Sequence, residues 1–357
     1  MKAVYAAGTD YDNPLSQLKV GELDTPETKP FWSTIHVAAA SVNHHDIWSL
    51  QGVGLSAEQT PMILGTDASG VLDEDIPVRK GLKAGAEVVL YTFVGTDGAG
   101  VMPGERRTIL SEKYAGTMAE TTQVPSANVF AKPANLTLDE AAALGTSWLT
   151  AYSLLFTSAN VKPGDTVLIQ GAGGGVSTAA IQLAHAAGLE VFVTSRSEEK
   201  RDRAIAIGAD AAFETGARLP HKVDAVIESV GAATWSHSVK SVRPGGTIAI
   251  CGATTGDQPG AELTPSSSRT FACKATPWVR VTTSHDCSNS WNTPTCTPSS
   301  TPPTRLPTRP RRSAKWSTAT FSERSCCTSS QVSKVGGVLE HVSLRKSFGG
   351  FDGRQQA

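Results

Sequence analysis

The apolar residues change rhythm part-way along the chain, and the change predicts two architectures in succession. Up to residue 125 the apolar runs are short and are cut by Gly and Pro. Met1-Lys-Ala-Val-Tyr5 and Ser33-Thr-Ile-His-Val-Ala38 have the character of strands, and Gly21 to Phe31 reads as loop, with Pro26 and Pro30 as breakers. Pro61-Met-Ile-Leu-Gly-Thr-Asp-Ala-Ser-Gly-Val-Leu72 and Gly81-Leu-Lys-Ala-Gly-Ala-Glu-Val-Val-Leu90 continue the pattern, so residues 1–125 are predicted to form a small, irregular β domain. Leu138 to Leu155, with Ala141, Ala142, Ala143, Leu149 and Tyr152, predicts a helix.

After Val161-Lys-Pro-Gly-Asp-Thr166 apolar runs alternate with helical patterns. Strands are predicted at 167–170, 191–195, 208–213, 223–231 and 245–252, with helices starting near 176 and at Glu198. That alternation predicts an α/β, doubly wound parallel sheet over residues 126–264.

Its first unit is Val167-Leu-Ile-Gln-Gly-Ala-Gly-Gly-Gly-Val-Ser-Thr-Ala-Ala-Ile-Gln-Leu-Ala184. Gly171, Gly173, Gly174 and Gly175 allow a tight turn that brings backbone N–H groups to a pyrophosphate at a helix N-terminus. The G-x-G-x-x-G match is imperfect, because its last position is Val176. The strand, turn and helix context, with Gly188 at a helix end and a second strand beyond, favours a dinucleotide site over a glycine run used only for packing. The second strand ends Val193-Thr-Ser-Arg-Ser197, without the carboxylate that bonds the ribose of NAD. Ser195, Arg196 and Lys200 offer a hydroxyl, a guanidinium and an ammonium to a 2′-phosphate, which predicts NADPH rather than NADH. Glu198 and Glu199 complement the dipole of the following helix.

Composition narrows the partners. The 357 residues are enough for two domains, and the net charge of −1 predicts neither a nucleic-acid partner nor a membrane surface. No apolar run approaches the roughly 20 residues of a membrane span and no signal segment opens the chain, so a cytoplasmic protein is expected.

Several motifs stand together: Ser41-Val-Asn-His-His-Asp46, Leu64-Gly-Thr-Asp-Ala-Ser-Gly70, Leu149-Thr-Ala-Tyr152, Gly171-Ala-Gly-Gly-Gly-Val176, Thr194-Ser-Arg-Ser197, Gly208-Ala-Asp-Ala211 and Arg243-Pro-Gly-Gly246. Through them residues 1–264 resemble the medium-chain dehydrogenase/reductase superfamily, in its quinone-oxidoreductase and zinc-binding-dehydrogenase branch. Ser177 departs from a glycine usual in that branch. The resemblance implies a GroES-like β domain followed by a Rossmann domain, a small-molecule substrate bound between them, and a homodimer. It places Asn43 and Thr150 at the nicotinamide or substrate, and makes Asp67 either a third catalytic residue or the anchor of the turn from Leu64 to Gly70. Val230 and Gly252, closing the fourth and fifth strands, join the cofactor site, while Trp148 and Tyr152 are expected in the core.

Zinc-using relatives carry a Cys in the Asn43 region and Gly-His-Glu where this chain has Gly65-Thr-Asp67. Catalytic zinc needs about three Cys, His or carboxylate ligands. Residues 1–250 contain no cysteine, and the adjacent His44, His45 and Asp46 are poorly spaced to converge on one ion, so no metal is expected. Simple alcohol oxidation needs a metal or base to hold an alkoxide. The expected activity is therefore NADPH-dependent, zinc-independent reduction of quinones or α,β-unsaturated carbonyls. The alternatives are an alcohol dehydrogenase of undefined substrate and a catalytically silent NADPH-binding protein.

After Leu263-Thr264 the character changes. Residues 1–264 carry 19 Lys and Arg against 29 Asp and Glu, residues 265–357 carry 13 against 4, and 34 of the 65 residues from Pro265 to Ser329 are Ser, Thr or Pro. This predicts a basic, low-complexity, disordered tail over 265–357. Joining each codon's third base to the next two bases lets Pro265-Ser-Ser-Ser-Arg-Thr-Phe-Ala-Cys273 encode I-F-F-K-N-F-R-V, a string absent from this chain. Under the same shift Thr318 to Cys327 permits G-D-V-F-G-K-I-V-L, which resembles the end of the family. The tail is therefore read as a frameshift product. As written the chain should lack the last Rossmann strand, expose a sheet edge, fold poorly and turn over little substrate. Sequencing the source DNA across codons 260 to 330 should find the shifted frame open, with a base gained or lost near codon 264. An intact printed frame would contradict it.

Overall fold

A computed structural model of the chain describes residues 1–76, 82–95, 107–261 and 270–275. The expectations for 276–357, including Cys287, Cys296, Cys326 and Cys327, lie outside the described residues.

In the N-terminal part, strand β1 (Lys2–Ala6) pairs antiparallel with β2 (Leu18–Glu22), in the register Val4↔Val20. β2 shortens the loop expected from Gly21. β3 (Trp32–Ala40) is followed by α1 (His44–Leu50) and by β4 (Met62–Ile63), which pairs with β1. β5 (Ala68–Leu72), β6 (Glu87–Leu90), β7 (Phe93–Gly95), β8 (Arg107–Ile109), β9 (Thr121–Pro125) and β10 (Val129–Ala131) follow. The principal sheet has the order β10-β6-β5-β3-β9 and β7 pairs with β8. The alternating apolar residues of these strands bury one face: Ile35, Leu72, Val88, Leu90 and Val124 share a core with Trp32 and Tyr114. β10 belongs to this sheet, so the β domain runs past the expected limit at 125. Asn128 secures the extension, its amide donating to the carbonyls of Tyr91 (3.1 Å) and Phe93 (2.6 Å).

The helix expected over 138–155 is present but irregular. α2 (Leu138–Ala141) opens with a reciprocal cap: the Glu140 carboxylate accepts from Thr137 N at 2.9 Å, and Glu140 N donates to the Thr137 hydroxyl at 3.2 Å. A π-helical stretch, Leu144–Trp148, leads to α3 (Leu149–Tyr152), and a second, Ser153–Ala159, ends at Asn160 with φ 54°. The widened turn coincides with close backbone passage at Gly145, where a Cβ would lie 2.6 Å from the Leu90 carbonyl oxygen.

The alternating segment forms β11 (Thr166–Ile169), α4 (Gly175–Ala186), β12 (Glu190–Thr194), α5 (Glu198–Ala206), β13 (Ala211–Phe213), β14 (Val223–Glu228), α6 (Ala232–Ser241) and β15 (Val242–Ile250). Its parallel sheet has the order β13-β12-β11-β14-β15 and one more strand, β16 (Ala272–Ala275), beside β15. Both faces are covered: Val167, Ile169, Val191, Val193 and Ile227 pack with Ala180, Ile181 and Ala184 of α4, whereas Leu168, Phe192, Val226 and Ile248 pack with Val239 of α6. Burial on both sides explains why these strands read as unbroken apolar runs. Strand order reverses between β11 and β14, which opens a crevice beyond their carboxyl ends.

β16 corrects the expectation that the sheet stops before residue 265. Thr247↔Ala272 and Ile250↔Ala275 pair in register, Gly245 N donates to the Thr270 carbonyl, and Phe271 packs on the β15 side of the core. A short, mostly small and apolar stretch suffices to satisfy the edge of β15. The bare edge and the wholly disordered tail are therefore corrected for residues 270–275.

Candidate functional site

The glycine turn follows directly from β11. Gly171 (φ +76°) and Gly173 (φ +98°) adopt left-handed backbone, where an L side chain is strained. A Cβ on Gly171 would stand 2.7 Å from Val230 Cγ2, one on Gly173 2.8 Å from Lys200 Cδ, and one on Gly175 2.6 Å from the Ser147 hydroxyl. The turn is thus a bare-backbone cradle at the start of α4, a helix of 12 residues whose N-terminus favours an anion. Ser177 keeps the cradle intact by capping it: its hydroxyl accepts from Gly174 N and donates to Gly174 O, both at 3.0 Å. Val176 begins the helical face packed on the core.

A buried polar chain ties the neighbouring strand ends together. The Glu228 carboxylate accepts from Val230 N (2.8 Å), Gly231 N (3.1 Å), the Thr234 hydroxyl (2.9 Å) and the Ser238 hydroxyl (2.6 Å). Gln170 donates to the Ser238 hydroxyl at 3.0 Å and accepts from the Thr194 hydroxyl at 2.5 Å. These bonds fix the ends of β11, β12 and β14 around the turn. Gly252, just past β15, faces α1: a Cβ there would lie 3.6 Å from the indole of Trp48.

At the end of β12, Ser195 is buried and its hydroxyl accepts from Ser197 N at 3.2 Å, while Arg196 is exposed. Lys200 lies along Gly173. Arg201, missed by the sequence reasoning, donates from Nη1 to the Ser195 carbonyl at 2.8 Å, with Nη2 3.9 Å from Glu214. Its signal was its position one helical turn from Ser197, the residue that caps α5. Cations therefore gather where an NAD site would carry a carboxylate.

The second half of the site is a polar cluster under the β domain's contribution to the cleft. Asp67 has no exposed surface. It accepts from the Ser41 hydroxyl at 2.6 Å and from Asn43 Nδ2 at 2.9 Å through Oδ1, and from Thr146 N at 3.0 Å through Oδ2. Asn43 Nδ2 is also 3.0 Å from the Thr66 hydroxyl, which pairs with the Thr146 hydroxyl at 2.9 Å. Ser147 donates to Asn43 Oδ1 at 3.3 Å and borders Gly175 of the phosphate turn, so one serine joins both halves. Asp46 caps α1, its carboxylate accepting from Asn43 N at 2.8 Å and Gly65 N at 3.0 Å. Thr150 is buried one turn beyond Ser147, and no bond of the cluster reaches it. Of the expected catalytic residues the structure thus joins Asn43 to Asp67 directly and leaves Thr150 beside them. Asp67 is enclosed, and Asn43 is one of its direct hydrogen-bond partners. Ser41, Thr66, Thr146 and Ser147 were missed; hydroxyl residues scattered through three segments carry no periodic signal.

Trp148 packs on the core as expected, whereas Tyr152 is half-buried at its margin, its ring tilted against Phe156 at 4.9 Å. The histidines diverge. His44 stands edge-on to Trp48 at 4.9 Å, and burial lowers its pKa. His45 instead pairs with Glu112 at 3.2 Å.

With this geometry in place, residues 29–134 match the alcohol dehydrogenase GroES-like domain family and residues 175–291 the zinc-binding dehydrogenase family. The chain is 30% identical over 292 residues to a crotonyl-CoA carboxylase/reductase of Cereibacter sphaeroides, covering 69% of this chain and 68% of the relative. It is 31% identical to a 2-methylene-furan-3-one reductase of Solanum lycopersicum, covering 76% and 67%. A crystal structure of an NAD-dependent alcohol dehydrogenase superposes with a TM-score of 0.69 at 33% identity, over 77% of this chain and 84% of the other. The chain spans about two thirds of the length of its first curated relatives. A GroES-like β domain followed by a Rossmann sheet defines an oxidoreductase of the dehydrogenase/reductase type. This chain belongs to the medium-chain dehydrogenase/reductase superfamily.

Zinc, implied by one family's name, does not fit the donors at this position. They are an amide, three hydroxyls and the single carboxylate of Asp67, bonded to one another. Among the described residues no group of three or more His, Cys, Asp or Glu could hold a metal ion. Among the same residues no helix is long and apolar enough to cross a membrane. A dinucleotide does fit: the Cβ-free cradle, the helix N-terminus and the cations beyond β12 match its phosphates.

Burial is the largest cause acting on Asp67 and raises its pKa from 3.8 to about 7, against its hydrogen bonds to Ser41, Thr146 and Asn43 and with a smaller push from Asp46. Between those values the folded protein holds a proton that the unfolded chain has released, so this group's effect on stability worsens as pH rises from about 4 to about 7. Asp67→Asn should flatten the fall in unfolding midpoint between pH 5 and pH 8. Parallel profiles for wild type and variant would contradict that assignment.

Proposed function

We propose that the protein is an NADPH-dependent, zinc-independent reductase of quinones or α,β-unsaturated carbonyls. The observation that carries the cofactor choice is the end of β12, where Ser195, Arg196 and Lys200 stand in place of a carboxylate, beside the glycine turn. Bound NADPH would supply a hydride to the electron-poor carbon of the conjugated substrate. The chain's own residues bind and orient: the turn at Gly171, Gly173, Gly174 and Gly175 takes the pyrophosphate, and Arg196 with Lys200 takes the 2′-phosphate. Val230 and Gly252 shape the floor of the crevice, and Asn43 and Thr150 line its reacting end. Such a reaction depends chiefly on orientation and exclusion of water, which a buried polar cluster can provide without a metal.

The names of the two curated relatives denote reduction of a carbon–carbon double bond conjugated to a carbonyl, and this supports the enone over the quinone. The alcohol dehydrogenase relative favours a second reading, an NAD-linked alcohol dehydrogenase. The proposal also makes this a cytoplasmic protein acting on a small molecule, and a homodimer.

NADPH oxidation against enones, quinones and aldehydes separates these readings. Turnover with an enone or quinone is expected; turnover with aldehydes only, or saturable binding without turnover, contradicts it. Arg196→Ala should weaken NADPH by roughly 10-fold or more, the scale of one charge-assisted hydrogen bond, and leave NADH almost unchanged. Equal losses for both nucleotides would remove Arg196 from the phosphate site.

A further inference from the structure

The side-chain amide of Asn43 has two unlike ends, a donor Nδ2 and an acceptor Oδ1. Nδ2 is surrounded by acceptors: Asp67 Oδ1 at 2.9 Å, Thr66 Oγ1 at 3.0 Å and Ser41 Oγ at 3.2 Å. Turning the amide over would set its oxygen against the Asp67 carboxylate, two acceptors with no proton between them. Serine and threonine hydroxyls can rotate to suit either orientation, but an ionised carboxylate accepts only. Asp67 already receives the Ser41 hydroxyl and the Thr146 N–H, the pattern that an ionised carboxylate takes. The amide therefore has one orientation, with Oδ1 turned to Ser147 beside the phosphate turn.

We propose that Asp67 is a positioning residue: it locks the Asn43 amide so that Oδ1 faces the cleft, where it receives an N–H of the nicotinamide carboxamide. This rests on the dinucleotide reading above and adds a polarity to it. The group met by Asn43 must donate. The carboxamide of a nicotinamide has such a donor, whereas the carbonyl oxygen of a substrate does not. The substrate oxygen therefore draws its hydrogen bond from a group other than this amide, and not from Ser147, whose proton already goes to Asn43 Oδ1.

The test compares two reduced dinucleotides, NADPH and its 3-acetylpyridine analogue, in which a methyl replaces the amide NH2. Dissociation constants are read by fluorescence on the full chain at pH 8, where Asp67 with a pKa of about 7 is mainly ionised. For the wild type the analogue should bind roughly 5-fold more weakly, the scale of one neutral hydrogen bond. In Asp67→Asn the amide is free to turn, and the ratio should fall below about 2-fold. The exchanged pair Asn43→Asp with Asp67→Asn again presents an acceptor to the cleft and should restore the preference. A residue that merely supported the fold would weaken both nucleotides alike and would not be rescued by the exchange.

Equal binding of the two nucleotides by the wild type, or an unchanged ratio in Asp67→Asn, overturns the proposal. Failure of both nucleotides to bind the wild type overturns the dinucleotide reading and the proposal together. Should the variants not fold, hydrogen exchange decides it on the wild type. The Asn43 side-chain amide protons, identified by their loss in Asn43→Asp or by contact with Thr66, should exchange slowly, and rapid exchange would contradict the lock.

Discussion

A carboxylate without access to water ties three segments of this protein together. Asp67, just before β5, takes hydrogen bonds from Ser41 just after β3, from the residue before α1 and from the irregular helix at Thr146. Burying a charge is costly unless donors replace the lost water, and three donors from separate segments do so only in part here, since burial still raises the pKa of Asp67 to about 7. The arrangement fixes those segments with respect to one another. It also leaves the helix passing so close that only glycine fits at residue 145. The π-helical stretch Leu144–Trp148 lies at this contact.

The other half of the site obeys a complementary constraint. Its glycine turn leaves bare backbone at the N-terminus of α4, where the helix favours an anion, while the neighbouring strand ends are tied by Glu228, Gln170, Ser238 and Thr194. That buried network holds the turn in place from behind without filling it. Ser147 reaches from the Asn43 amide to the first residue of α4, so the polar cluster and the glycine turn adjoin through one hydroxyl.

Much of the fold was legible because burial writes itself into periodicity. Strands covered on both faces gave unbroken runs such as Val167 to Ile169, and the glycine turn marked where the chain passes from strand to helix. The glycine turn proposed for the phosphates is likewise a contiguous stretch. Ser41, Thr66, Thr146 and Ser147 could not be read in this way, since a hydroxyl's role depends on what tertiary contact brings beside it. β10 was placed outside the expected β domain because its partner β6 lies far upstream, 41 positions at Phe130↔Val89, in a register that local pattern does not encode. β16 was missed because Ala272–Ala275 carries little strand propensity and is held by the waiting edge of β15.

The central claim is that the glycine turn and the cations beyond β12 form an NADPH site. Calorimetric titration of the full chain with NADPH and with NADH, in the same buffer, tests it most directly. The account predicts saturable binding of NADPH, at least about 10-fold tighter than NADH, as expected for a charge-assisted 2′-phosphate contact. Equal affinities, or tighter NADH, would contradict it.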